Sequence, residues 1–138
     1  MNKNKIKIGI LGGSFDPAHK GHLAISKEAR KRFKLEKIIW AITKKNPLKV
    51  ESKTPISKKI KNCKKVIGLN SFIKVKFYEN IIKSNKTIDL INHVKKNKSF
   101  DIYFLMGADN LINFHRWYKS ELITQKCNII VFDRHGYK

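Results

Sequence analysis

KIKIGIL, Lys5 to Leu11, runs directly into GGSFDPAHKGH, Gly12 to His22. The first stretch alternates with the two-residue period of a strand. The second breaks that period with Gly12, Gly13 and Pro17 and leads into Leu23 to Phe33, whose apolar spacing is helical and whose last turn is basic. A strand that turns sharply into a helix opens a strand-helix-strand unit, and that reading decides the fold class.

Outward from this unit the alternation continues. Lys37 to Ile42 (KIIWAI) reads as a second strand, and Thr43 to Pro55, lysine-rich and broken by Pro47 and Pro55, as an exposed loop. Ile56 to Leu69 follows as a helix with Ser57 as its candidate cap, then Phe72 to Phe77 (FIKVKF) as a third strand and Thr87 to Lys96 as a helix. Asp101 to Met106 (DIYFLM) is almost continuously apolar, the pattern of a strand buried on both faces. Phe114 to Gln125 reads as a helix and Cys127 to Phe132 (CNIIVF) as a fifth strand. Strands separated by helices imply right-handed crossovers. The expected fold is therefore α/β, a parallel sheet of about five strands with helices on both faces, in one domain spanning residues 1–138. Only DRHGYK follows the fifth strand, so the expected fold lacks a further covering helix there.

Composition narrows the function classes. A net charge of +21, from 31 basic and 10 acidic residues, has the magnitude of a nucleic-acid binder. Its texture argues otherwise. Only four basic residues are arginines (Arg30, Arg32, Arg116 and Arg134), the lysines are spread over nearly every segment, and Phe72, Phe77 and Phe100 fall on strand-like stretches rather than on a stacking platform. A solvated lysine surface is favoured over a nucleic-acid face, although its field still draws anionic small molecules inward. No apolar run approaches the ~20 residues of a membrane span, and the opening MNKNKIKIGIL has no cleavage signal, so the expected location is the cytoplasm. Cys63 and Cys127 lie far apart and outside any zinc or redox spacing, and read as reduced thiols.

In a parallel sheet, ligands sit beyond the carboxyl ends of the strands, near the switch in strand order. Gly12 to His22 leaves that end of the first strand. Glycines permit close backbone approach, and N–H groups opening a helix suit an anion, so phosphate is the natural guest. His19 and His22, three apart at a helix start, can face one side and donate N–H bonds to phosphate oxygens as charge builds during transfer. The pattern is neither GxxxxGK[ST] nor GxGxxG. Asp16 beside Pro17 fits a turn former or a nucleotide contact equally well.

GGSFDPAHKGH resembles the signature of the HxGH nucleotidyltransferase superfamily, with Ser14 where Thr is common. A second stretch, FLMGADNLINFHRWYKSELI at Phe104 to Ile123, together with NPLK at Asn46 to Lys49 and the closing FDRHGY, is similar to the bacterial nicotinate mononucleotide adenylyltransferases. The resemblance covers essentially the whole chain. It implies a Rossmann-like fold and transfer of the adenylyl group of ATP to nicotinate mononucleotide, giving deamido-NAD and pyrophosphate, with Mg²⁺ carried by ATP.

The same resemblance assigns roles residue by residue. His19 and His22 would be catalytic. Gly12, Gly13, Ser14, Phe15, Asp16, Gly107, Asp109 and Arg134 would join the histidines at ATP. Asn46, Lys49, Thr87, Trp117 and Tyr118 would hold nicotinate mononucleotide, Trp117 flat against the pyridine ring, with Arg116 as a further contact. From the residues alone, Trp117 is open between a platform and an ordinary core tryptophan on a helix, and Lys49 between a phosphate contact and a solvated charge.

Three departures stand out. The family usually has a Tyr-Thr pair and another Thr three residues on, where this chain reads Lys86, Thr87, Ile88, Asp89, Leu90; His135 stands where Pro is usual. The family also continues into a Ser/Thr-x-x-Arg segment that grips the ATP phosphates, which the resemblance leaves without a counterpart here. The alternatives are a weakly active or inactive nucleotide-binding remnant, and a related adenylyltransferase with another phosphate acceptor.

Overall fold

The computed structural model describes residues 5–15, 17–44 and 54–132, with Asp109 described by its backbone alone. Among these residues five strands, β1 (Ile6–Gly13), β2 (Lys37–Ile42), β3 (Ile73–Lys76), β4 (Phe100–Gly107) and β5 (Asn128–Phe132), pair in parallel. Six helices lie between them: α1 (Lys20–Phe33), α2 (Ile56–Ile67), α3 (Glu79–Ile82), α4 (Thr87–Val94), α5 (Ala108–Leu111) and α6 (Ser120–Lys126). The sheet order is β3-β2-β1-β4-β5. The chain thus builds one way from β1 through β2 to β3, then returns to the other side of β1, and the crevice between the carboxyl ends of β1 and β4 is the switch point.

Strand alternation sorts the core into two layers. Ile8 and Ile10 of β1, Ile39 and Ala41 of β2, and Ile102, Phe104 and Met106 of β4 pack with Ile88, Ile91, Val94 and Ile123 of α4 and α6. Leu11, Ile38, Trp40, Ile42 and Leu105 face the other way, against Ile25, Ala29, Cys63 and Ile67 of α1 and α2. Burial on both sides is what the nearly continuous apolar reading of β4 requires. Among the described residues no helix is long and apolar enough to cross a membrane.

Some local expectations are corrected. Leu23 to Phe33 is helical, but α1 begins three residues earlier, because His19 takes the cap with an extended backbone. Ser57 does not cap α2: Pro55 occupies that position and makes no side-chain bond, leaving Ser57 inside the first turn. The single helix expected over Phe114 to Gln125 is instead a 3-10 turn, Phe114–Arg116, an extended Trp117, a left-handed Lys119 and then α6. An apolar pattern of helical period does not distinguish one helix from two short pieces meeting at a bend. Neither α3 nor α5, each of four residues, carries a periodic signal long enough to read.

Candidate active site

The first half of the site is built where β1 gives way to α1. Phe15, rather than Gly12 or Gly13, takes the left-handed position in this turn, at φ 49°. A Cβ at Gly12 would meet only the Phe104 ring, at 3.6 Å, and one at Gly13 only Phe15, at 3.7 Å. Internal packing therefore does not demand either glycine. Both line a crevice of about 590 Å³, and the space they keep open lies on its side.

Left-handed backbone costs a bulky residue about 1–3 kcal/mol. Phe15 is 2% exposed and stacks on the fully buried Trp40 ring at 5.2 Å and 19°, and its burial offsets that cost.

His19 and His22 cap α1 reciprocally. His19 Nδ1 accepts the Gly21 N–H at 3.0 Å, while the His19 N–H donates to His22 Nδ1, also at 3.0 Å. Two imidazoles thus do what a Ser and a Glu do in a capping box. The geometry also fixes their tautomers. A ring nitrogen that accepts from a backbone N–H carries no proton, so in each neutral ring the proton resides on Nε2. The ring centroids are 3.9 Å apart, and both side chains line the crevice. His22 further packs on Phe15 at 4.6 Å.

The second half comes from β4 and the turns after it. Gly107 ends β4 and caps α5, placing its backbone in the crevice; Asp109 follows within α5. Trp117 stands edge-on to Phe104, at 5.9 Å and 90°, and against Phe114 at 5.2 Å. It is half-buried, backed by these two rings, and lines the crevice from an extended segment rather than from a helix. Arg116, Tyr118, Lys86 and Thr87 line the same end, with the Lys86 ammonium 6.0 Å over the Tyr118 ring.

The structure brings together Gly12, Gly13, Ser14, Phe15, His19, His22, Gly107, Thr87, Trp117 and Tyr118. Asp16, Asn46, Lys49 and Arg134 lie outside the described residues.

Two supports were missed in the sequence. Glu79 accepts from the Thr43 hydroxyl and, at 3.0 Å, from the Lys44 N–H, so one carboxylate ties the end of β2 to α3 at the crevice rim. Trp40 donates its indole N–H to Ser26 Oγ at 2.8 Å beneath His22. Position after a strand could have flagged Glu79. Nothing in KIIWAI marks Trp40 as more than core.

Among the described residues no group of three or more His, Cys, Asp or Glu side chains could hold a metal ion, and the Glu79 carboxylate is engaged by Thr43 and Lys44. Among the described residues the side chains do not form a resident cation site.

This architecture has close relatives. The cytidylyltransferase-like family model matches residues 10–137. A protein of Pelagibacter ubique named probable nicotinate-nucleotide adenylyltransferase is 66% identical over 138 residues, spanning all of this chain and 77% of the relative. The chain belongs to the nicotinate-nucleotide adenylyltransferase family. A Bradyrhizobium protein of the same name is 35% identical over 94% of this chain and 68% of its own length. The fold is likewise that of a solved Plasmodium falciparum nicotinic acid mononucleotide adenylyltransferase complexed with NaAD, with a TM-score of 0.77 at 23% identity, covering 96% of this chain and 67% of that one. The two halves of the crevice, a pair of capping imidazoles on one side and an aromatic wall on the other, together make one candidate active site.

Proposed function

We propose that this chain transfers the adenylyl group of ATP to nicotinate mononucleotide, forming deamido-NAD and pyrophosphate. The observation that carries the reading is the pair of capping imidazoles. Each is held as its Nε2–H tautomer at the switch point, with the Trp117 wall across the same crevice. Family membership supports the choice of reaction and acceptor.

In this reading a 5′-phosphate oxygen of the mononucleotide attacks the α-phosphorus of ATP in line. The bond from that phosphorus to the bridging oxygen breaks, and pyrophosphate leaves with the bonding electrons. No covalent enzyme intermediate is needed. His19 and His22 donate Nε2–H bonds to the phosphate oxygens as negative charge develops, from positions fixed before the reaction begins. Gly12, Gly13 and Gly107 let the nucleotide approach the backbone, and Ser14, Phe15, Asp16, Asp109 and Arg134 complete the ATP side. Trp117 stacks on the electron-poor pyridine ring, with Thr87, Tyr118, Asn46 and Lys49 around the mononucleotide. Mg²⁺ enters as part of the substrate MgATP, shielding the triphosphate. The reaction would take place in the cytoplasm, within a single domain.

The test is product formation. Purified chain with MgATP and either nicotinate or nicotinamide mononucleotide is followed by chromatography, with His22→Ala alongside. Dinucleotide from the acid that disappears in the variant is the expected result. A folded chain that forms no dinucleotide with either acceptor overturns the assignment.

A further inference from the structure

We infer that Trp40 and Ser26 are positioning residues that set the His22 imidazole through a buried relay, an inference that rests on the function proposed above. The Trp40 indole N–H donates to Ser26 Oγ at 2.8 Å, and the Ser26 hydroxyl donates to the His22 carbonyl at 2.8 Å. Trp40 and Ser26 are both 0% exposed. One strand side chain thereby holds the first turn of α1 at the residue that carries the imidazole. The same indole supports the ring directly: its centroid lies 5.8 Å from His22, and Phe15 packs on both, 5.2 Å from Trp40 and 4.6 Å from His22.

Stability alone gives little reason for this arrangement. Replacing both partners of a buried hydrogen bond by apolar groups of similar shape is nearly neutral. A serine inside a helix that bonds back four residues is mildly unfavourable compared with alanine. In the surrounding layer of Ile, Leu and Ala, a Phe and Ala pair would fill much the same space without polar atoms. What the polar pair adds is direction. An indole N–H accepted by one hydroxyl, which in turn donates to one carbonyl, allows a single register of helix on strand. That register places His22 Nδ1 opposite the His19 N–H, and so defines which nitrogen keeps the proton for phosphate.

The decisive experiment is a double-mutant cycle on turnover, combined with nitrogen NMR of the two imidazoles. Trp40→Phe keeps the aromatic stack and removes the N–H; Ser26→Ala removes the hydroxyl. Each is expected to lower kcat about tenfold with KM for both substrates within twofold of the parent. In a His22→Ala background the same changes are expected to cost less than twofold, since their route to the chemistry is gone. NMR is expected to report His22 as the Nε2–H tautomer in the parent and as a tautomer mixture in either variant, with His19 less affected. Equal losses of kcat in both backgrounds, or an unchanged His22 tautomer, overturn the inference. The NMR arm needs no turnover. An inactive parent with the tautomer response intact therefore supports the relay as a structural fact while removing the proposed function.

Discussion

The two halves of the crevice are built to different standards. The half around Gly12 to His22 stands on a 14-residue helix with reciprocal caps, a buried aromatic support and a hydrogen-bonded tie to the neighbouring strand. The half around Gly107 to Lys119 consists of a four-residue helix and a 3-10 turn, neither with a side-chain cap bond. There Leu111, Ile112 and Tyr118 are exposed, Ile112 at 74%. Few buried contacts and short elements define a segment of low local stability. In-line transfer tolerates little misplacement of the groups that face phosphorus, whereas an aromatic wall can adjust to a flat ring by small rotations. On the proposed function, the fold invests order where charge would develop and leaves adaptability where the mononucleotide would be recognised.

The sharpest way to break this contrast is to remove one donor from the ordered half. His22→Ala or His19→Ala is expected to lower kcat by about 10²–10³, the scale of losing one preorganised donor. Lost capping adds a stability cost of about 1 kcal/mol, read as a lower Tm. A loss below tenfold would mean that the imidazoles are only caps.

In the adaptable half the expected effect is smaller and of a different kind. Trp117→Ala should raise KM for the mononucleotide about tenfold, with ATP affinity unchanged by calorimetry, and Trp117→Phe should recover much of it. If Trp117→Ala instead unfolds the chain, the residue is core and the contrast fails.

High pH tests the layers beneath the two halves. Burial pushes the Cys63 thiol up to about 11 against the opposing pull of Lys59, and the Cys127 thiol up to about 11 against Lys95. The folded chain thus holds protons that the unfolded chain releases near pH ~8.5. Their stabilisation is complete below that pH and is lost as pH rises toward about 11. Tyr78, raised by burial, adds in the same direction. Urea melts at pH 8 and 10.5 should show the loss. Cys63→Ala, under the ordered half, and Cys127→Ala, under the other layer, should each remove a comparable share of this pH dependence, because both thiols are pushed up to about 11.

Two backbone changes should have the smallest effects on folding and still separate the halves. Gly12→Ala is expected to keep Tm within about a degree, since its Cβ meets only the Phe104 ring at 3.6 Å, yet to weaken ATP binding measurably. Lys119 sits at φ 53° and ψ 43°. Lys119→Gly should therefore stabilise the second half by up to about 1 kcal/mol by relieving left-handed strain. No change in stability would place that strain elsewhere.

The main elements were legible because their patterns are long or strongly periodic. KIIWAI reads as a strand and is one over the same residues, Lys37–Ile42, and DIYFLM reads as a doubly buried strand and is the centre of β4. The break at Trp117 was not legible, because the left-handed Lys119 that forms it carries no residue signature; Gly or Asn there would have announced it. The roles of Trp40, Ser26 and Glu79 were hidden for another reason. Each acts through a partner 14 to 36 residues away, and local spacing holds no record of such pairs.

By itself, the sequence determined the strand-turn-helix opening, the parallel α/β class and the two histidines behind Gly12 and Gly13, because these rest on periods and turn chemistry within about twenty residues. Only the tertiary structure decided that the histidines cap one another, and that β4 returns beside β1 to bring Trp117 across from them. It also decided that a buried indole and hydroxyl hold the first turn of α1 in place. Those arrangements depend on which strand lies beside which, a consequence of packing apolar faces on both sides of one sheet.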